Sequence, residues 1–169
     1  MNAIRANGPW PVMIHGGVGC GKTCAAGCIY REWRRSRERA GTARWFRLDN
    51  LIDFILKARF SNEGIVTYLP TGDAVRQTEG GLFAAFEQAD FVVLDDFGVT
   101  EFNPQREEVS SRLIESRVGK PLIVTANYSP SEFTAKGVDD RLVSRLSAGT
   151  VIHATGDDRR LQNSRFVEA

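Results

Sequence analysis

The 169-residue sequence lacks any long hydrophobic run, and no apolar stretch approaches the roughly 18 residues of a membrane-spanning helix. Its N-terminus has no charged stretch followed by an apolar one, the pattern typical of secretory signals. Internal repeats and low-complexity tracts are also absent from the sequence. We therefore expect a cytoplasmic protein without membrane contacts, and a chain of this length predicts one domain with a sizeable core.

The net charge is small, and cysteines are few. The formal net charge is +1, so binding to nucleic acid would have to come from a local patch. The three cysteines, Cys20, Cys24 and Cys28, lack the fourth ligand and the C-x₂-C knuckle of structural zinc sites. Instead, we expect the small side chains here to let a helix approach a sheet closely. Unpaired thiols also fit a reducing compartment.

Lysine is rare beside arginine, and several arginines end the first predicted helix, over 22–39. They are Arg31, Arg34, Arg35, Arg37 and Arg39. Cations at a helix C-terminus complement the helix dipole, which favours a solvated helix end. Contact with DNA or with a protein partner is the alternative interpretation.

What the sequence does contain is a glycine-rich stretch matching G-x-x-x-x-G-K-[ST], directly after the apolar run 11–14. Glycines let successive N–H groups turn inward toward a phosphate, and the following helix adds its positive dipole end. Lys22 would reach the β- and γ-phosphates, and the Thr23 hydroxyl would ligate Mg²⁺. The predicted nucleotide-binding residues are Gly16, Gly17, Val18, Gly19, Cys20, Gly21, Lys22, Thr23 and Cys24. A glycine turn without a ligand is the alternative.

An acid pair, Asp95-Asp96, follows the apolar run 91–94. Such a run is typical of a central parallel strand, whose carboxyl end lies at the edge where open α/β sheets bind ligands. We predict that Asp95 holds Mg²⁺ and that Asp96 orients or deprotonates the attacking water. The alternative is that both acids cap the next turn.

Further predicted strands are 43–48, 121–125 and 151–153, and all the strands alternate with helices, which indicates an α/β fold. Asn127 follows the fourth strand and could sit between the attacking water and the γ-phosphate, although a turn role would also explain it. In the helix 140–146, Arg141 and Arg145 share one face. His15 and His153 are expected at strand ends, without a catalytic role.

In combination, these motifs resemble those of AAA+ ATPases, and within that group the DnaC-type helicase loaders and the IstB-type transposition ATPases. The resemblance covers residues 11–162 and is carried by the segments 16–23, 93–98, 117–127 and 140–146. It implies the P-loop NTPase (AAA+) three-layer sandwich, with a five-stranded parallel sheet in the order 5-1-4-3-2. Its Asp-Asp-x-Gly ending, where most AAA+ proteins have Asp-Glu, is more specific than the glycine loop.

The resemblance also implies residue roles. Asn127 would be sensor 1, and Arg145, or else Arg141, would be the arginine finger that reaches the ATP of the next subunit. Arg160 would be sensor 2, although the last motif lacks its usual serine. The connection 61–80 would hold the extra helix of initiator-type members, where Tyr68 and Arg76 could contact single-stranded DNA. Both could equally be ordinary surface residues.

The function implied is a Mg²⁺-dependent ATPase that hydrolyses ATP to ADP, weakly as a monomer, and acts on single-stranded DNA as a replicative helicase loader. Its partners would be copies of itself in a ring or helical filament, and a replicative helicase or a transposase. A transposition helper and an ATP-switched binding module are the alternatives. A GTPase fits less well, because the sequence has no N-K-x-D motif. We expect residues 1–169 to form a single AAA+ domain, without the N-terminal partner-binding domain or a C-terminal lid domain.

Overall fold

Residues 10–35, 41–61, 63–68, 72–98 and 103–158 are described by a computed structural model. In chain order the elements are β1 (Val12–His15), α1 (Lys22–Arg35), β2 (Ala43–Arg47), α2 (Leu48–Phe60), β3 (Ile65–Tyr68), β4 (Ala74–Gln77), α3 (Glu79–Glu87), β5 (Phe91–Phe97), α4 (Pro104–Glu115), β6 (Leu122–Ala126), α5 (Pro130–Ala135), α6 (Asp140–Ser147) and β7 (Thr150–His153). No helix in these ranges has the length and apolarity needed to cross a membrane.

A five-stranded parallel sheet forms the centre of the fold, in the order β2-β5-β6-β1-β7. The predicted strands one to five are β1, β2, β5, β6 and β7, so the predicted order 5-1-4-3-2 is confirmed. The register pairs Arg47 with Asp95 and His15 with both Ala126 and His153. The carboxyl ends of all five strands therefore meet at one edge.

Helices cover both faces of this sheet, as the predicted three-layer sandwich requires. Helix α1 covers one face, where Ala26 is fully buried in a cluster that includes Phe91 and Val93. Helices α2 to α6 pack on the other face around a larger apolar cluster. The expectation that small cysteines would face the sheet is wrong, because Cys24 and Cys28 are exposed. Ala26 and the partly buried aromatics of α1 determine which side of the helix faces inward.

The connection between α2 and α3 is a β-hairpin, so the predicted extra helix is wrong over the described part of 61–80. β3 and β4 pair antiparallel, from Ile65 opposite Gln77 to Tyr68 opposite Ala74. The β-branched run Ile65-Val66-Thr67 favours extended backbone over helix. The hairpin pairs with itself and stands outside the five-stranded sheet.

Arg117 is a charged residue within the core, only 1% exposed. Its guanidinium donates hydrogen bonds to the backbone carbonyls of Glu87, Ala89 and Pro121, at 3.2, 2.5 and 2.6 Å. Burial lowers the pKa of this guanidinium to about 10, so it remains charged at neutral pH. The side chain joins the segments that lead into two adjacent central strands, β5 and β6.

Candidate nucleotide-binding site

The glycine-rich loop connects β1 to α1 and is attached to both strands that flank β1. The Gly16 N–H donates to the Ala126 carbonyl at 3.2 Å, and the Ala154 N–H donates to the His15 carbonyl at 2.7 Å. A Cβ on Gly16 would collide with the Ala154 carbonyl oxygen. Gly19 has φ +75° and packs against Asp158, so a side chain there would be strained and would also clash. The loop can therefore keep its shape only with glycine at these two positions.

Lys22 is the first residue of α1, and its side chain folds back over the loop. Its ammonium Nζ donates to the carbonyls of Gly16 and Gly17 at 2.8 and 2.6 Å, and the residue is 7% exposed. The cation is thereby held beside the N-terminus of a 14-residue helix, where the helix dipole also favours negative charge. Such an arrangement is suited to binding an anion.

The acid pair meets this loop across 72 residues of sequence. The Thr23 hydroxyl donates to Oδ1 of Asp95 at 3.1 Å. The Thr125 hydroxyl, fully buried on β6, donates to the same oxygen at 2.5 Å. Asp95 is itself 5% exposed. A hydroxyl and a carboxylate oxygen brought together in this way are the hard ligands that Mg²⁺ prefers, so these residues fit that ion.

Asp96 has a different environment from Asp95. Its backbone is left-handed, with φ +62°, and its N–H donates to the Thr125 hydroxyl at 3.0 Å. Its carboxylate pairs with Arg47 at 3.1 Å, and the Asp96 side chain is 33% exposed. One acid is thus enclosed beside the loop, while its neighbour is turned toward solvent and a cation. Two such environments suit two different roles.

Two histidines flank the start of the loop. The rings of His15 and His153 stack with their centroids 4.8 Å apart and an interplanar angle of 1°. Burial lowers the pKa of His15, and the charges of His153 and Lys22 lower it further, while Glu132 opposes the shift. His15 therefore favours the neutral form, as suits a strand-end residue next to a cation.

Other predicted residues lie at different distances from this centre. Asn127 directly follows β6, is half-buried, and makes no side-chain hydrogen bond to the described residues. Cys24 is exposed on α1. Arg160 lies outside the residues that the structure describes.

The two candidate finger residues are on α6, away from the loop. Arg145 pairs with Glu115 at 2.9 Å and lines a shallow apolar pocket with Trp10 and Leu122, at the opposite edge of the sheet. Arg141 is exposed and has no ion pair among the described residues. Arg145 cannot serve the loop of its own chain from this edge.

Sequence reasoning missed three residues that touch the site. Thr125 had a signal, because it is the polar residue in the otherwise apolar run 122–126. Arg47 had a weaker one, since it lies at the end of the strand that the predicted order places beside β5. Asp158, which packs on Gly19, had none, because its position depends on the path of the chain after β7.

A glycine loop between a strand and a helix, a buried lysine and a carboxylate on a neighbouring parallel strand define a P-loop nucleotide-binding fold. No protein-family model and no curated protein matches the chain. Solved structures do match its fold. It is similar to AMPPCP-bound DnaA from Aquifex aeolicus, with 20% identity and a TM-score of 0.72 over 94% of this chain and 45% of that one.

The chain is also similar to DnaA bound to AMPPCP and single-stranded DNA, with 20% identity and a TM-score of 0.70, over 92% of this chain and 44% of that one. A third similar structure is the DnaC helicase loader, with 19% identity and a TM-score of 0.64, over 85% of this chain and 77% of that one. The chain thus spans less than half the length of the two DnaA structures. The fold is that of AAA+ P-loop ATPases.

Proposed function

We propose that this protein binds ATP with Mg²⁺ and hydrolyses it to ADP. The observation that carries the proposal is the contact of Thr23, on the phosphate loop, with Asp95, at the end of a central strand. A lysine-bearing glycine turn has no need of a buried carboxylate unless a metal-bound phosphate is its ligand. The DnaA structures with bound AMPPCP support the same ligand class.

Each residue of the site has a role in this proposal. Thr23 and Asp95 would hold Mg²⁺, and the ion would neutralise charge on the phosphates. Lys22 and the loop N–H groups bind the β- and γ-phosphates. Asp96 orients the attacking water and accepts its proton, and Asn127 positions that water against the γ-phosphate. Catalysis is then mainly positional and electrostatic.

The arginine finger comes from another copy of the chain. Arg145 lies at the sheet edge opposite the loop, which suits a residue that acts on the nucleotide of a neighbour. Such a finger is worth roughly 10³ to 10⁵ in rate, so a monomer hydrolyses ATP slowly. The active form is therefore a homo-oligomer, a ring or a helical filament, with Arg141 as the second candidate for this role.

The biological role that we propose is loading of a replicative helicase onto single-stranded DNA. The solved DnaC helicase loader supports this proposal, because the likeness covers most of both chains. The hairpin β3–β4 replaces the expected helix as the candidate contact for the strand. Its Arg76 is 56% exposed, and its guanidinium contacts the surface carboxylate and the backbone carbonyl of Glu63, so much of it is available to a phosphate.

The test measures ATP turnover and nucleotide affinity, with and without single-stranded DNA and a replicative helicase. Lys22→Ala should lose both affinity and turnover. Arg145→Ala should keep affinity and lose the stimulated turnover, whereas Arg141→Ala, which tests the second candidate on the same helix, should keep both. Unchanged turnover in Arg145→Ala would reject that finger. Tight ATP binding with turnover at the buffer background would indicate a nucleotide-switched binding module instead.

A further inference from the structure

A group of arginines that have no acidic partner among the described residues lies along the border of the domain at β2. Three are on the last turns of α1, Arg31, Arg34 and Arg35, and the fourth, Arg44, is on β2. All four are exposed. We call these four residues the arginine border.

The charge of this region stands out from that of the rest of the chain. Residues 31–47 contain seven arginines and two glutamates, a net charge of +5. Because the whole chain carries +1, the remaining residues carry a net −4. The weak overall charge therefore conceals a strongly basic segment on an otherwise acidic domain, and a local field of this kind attracts polyanions.

Among the described residues, the arginines without ion pairs are concentrated in this border. Elsewhere in the described chain, six arginines pair with carboxylates, and Arg117 is satisfied by backbone carbonyls. Apart from Arg117, five described arginines have no acidic partner among the described residues; four form the arginine border and the fifth is Arg141. The fold thus neutralises most of its guanidinium groups but leaves this group available.

Contacts between α1 and β2 bring the border together. The Tyr30 hydroxyl donates to the carbonyl of Ala43, the first residue of β2, at 3.2 Å. Arg31, Arg34 and Arg35 have the i, i+3, i+4 spacing that aligns side chains on one helix face. Ala43 and Trp45 pack toward α1, so Arg44 points to the other layer. The cations therefore extend around the edge strand of the sheet.

Among the described residues, no exposed large apolar side chain accompanies the charge. Trp33 stacks on Phe91 with centroids 5.3 Å apart, and Tyr30 meets Trp45 edge-on at 5.6 Å, so these rings face the sheet. The exposed large apolar side chains of the described chain are elsewhere, such as Phe54 and Phe60. Protein partners are usually bound through buried apolar anchors, and single strands through stacked aromatics. A partner recognised by charge alone fits this surface best.

We propose that the arginine border binds the phosphate backbone of double-stranded DNA without sequence preference. A duplex offers outward phosphates and keeps its bases stacked inside, which matches a surface with guanidinium groups and no ring to stack on. Helix α1 is about 20 Å long for its 14 residues, and the border lies at the end remote from the phosphate loop. The duplex therefore binds apart from the nucleotide.

The experiment measures affinity for a fluorescent 20-base-pair duplex across a range of salt concentrations, using the whole chain without nucleotide. In the variant Arg31→Gln/Arg34→Gln/Arg35→Gln, affinity should fall at least tenfold. The slope of log K against log salt should become shallower by about 2.7, for three lost phosphate contacts. A charge-matched control, Lys57→Gln/Lys120→Gln/Lys136→Gln, should change affinity less than threefold. Circular dichroism and ATP binding confirm that both variants are folded.

Several results would overturn this assignment. They are equal duplex affinity in the arginine variant and the parent, an equal loss in the lysine control, a loss of single-strand affinity in the arginine variant as large as its loss of duplex affinity, and binding to phosphatidylserine vesicles but not to duplex. Lys22→Ala should bind duplex like the parent. Loss of ATPase activity with retained duplex binding would therefore count against the proposed ATPase alone.

Discussion

The hydroxyl of Thr125 lies 2.5 Å from Oδ1 of Asp95, and this buried side chain is the one that joins the two acids at the site. It donates to the Asp95 carboxylate and accepts the N–H of Asp96. Because Thr23 shares that carboxylate, the position of the phosphate loop and the backbone turn at Asp96 are linked through Thr125.

Thr125→Val should therefore damage both stability and turnover. Valine keeps the shape but leaves the Asp96 N–H unsatisfied in the interior, which should lower the free energy of unfolding by about 1–3 kcal/mol. ATP turnover should fall at least tenfold, because Asp95 loses a partner. Urea unfolding and steady-state ATPase assays measure these effects. Thr125→Ser, which retains the hydroxyl, should keep most of the parental stability and turnover. Parental stability and turnover in Thr125→Val would contradict the link through Thr125.

Asp96 can be tested by substitutions that separate backbone from charge. Asparagine tolerates the left-handed φ of +62° but carries no charge, so Asp96→Asn should keep parental stability and lose most turnover. Asp96→Ala should lose turnover and also about 1 kcal/mol of stability, since alanine is strained there. Nucleotide affinity should stay within about threefold in both variants. Parental turnover in Asp96→Asn would exclude its role in catalysis.

The buried guanidinium of Arg117 predicts a large stability effect away from the site. Arg117→Met removes the donor of three hydrogen bonds to buried carbonyls, so the free energy of unfolding should fall by about 3 kcal/mol. Arg76→Met removes an exposed ion pair and an exposed hydrogen bond to the Glu63 carbonyl, and should cost less than about 1 kcal/mol. Chemical denaturation compares the two, and equal losses would mean that Arg117 is not a structural link.

Acid sensitivity should depend on His15. Its pKa in the folded chain lies below the usual histidine value of about 6.5, because of burial first and then His153. Protonation therefore favours the unfolded chain, and stability is retained above about pH 6.5 and lost as the pH falls below it. In His15→Gln, the drop in Tm from pH 7.5 to 5.5 should be smaller by about 2–4 °C. In His153→Gln, the drop in Tm over the same pH range should be reduced by a smaller amount than in His15→Gln. An unchanged drop in His15→Gln would place the acid-sensitive group elsewhere.

The sheet and the phosphate loop were predictable because their signals are local. Apolar runs ending in polar residues mark β1, β5 and β6, and the glycine motif follows the first of them. The strand order came from the resemblance to AAA+ ATPases. The approach of Thr23 to Asp95 follows once both strands end at the same edge.

Features that depend on side-chain contacts across distant segments were not predictable. The pair between Arg47 and Asp96 exists because β2 lies beside β5, and local sequence carries no trace of that neighbour. The side of α1 that faces the sheet depends on which residues find room there, and the exposed Cys24 shows that small size alone does not decide it. The hairpin in place of a helix reflects a short β-branched run within a long, mixed connection.

The separation of the β3–β4 hairpin from the main sheet has a consequence for how such a domain can diversify. β3 and β4 pair with each other and not with the five-stranded sheet. Replacing residues 63–78 would therefore remove no hydrogen bond between the strands that carry Asp95 and the glycine turn. The proposed DNA contact on the hairpin can therefore change in evolution while the phosphate loop and Asp95 are retained. A chimaera that carries the hairpin of another protein should still bind nucleotide but should differ in the partner that it binds.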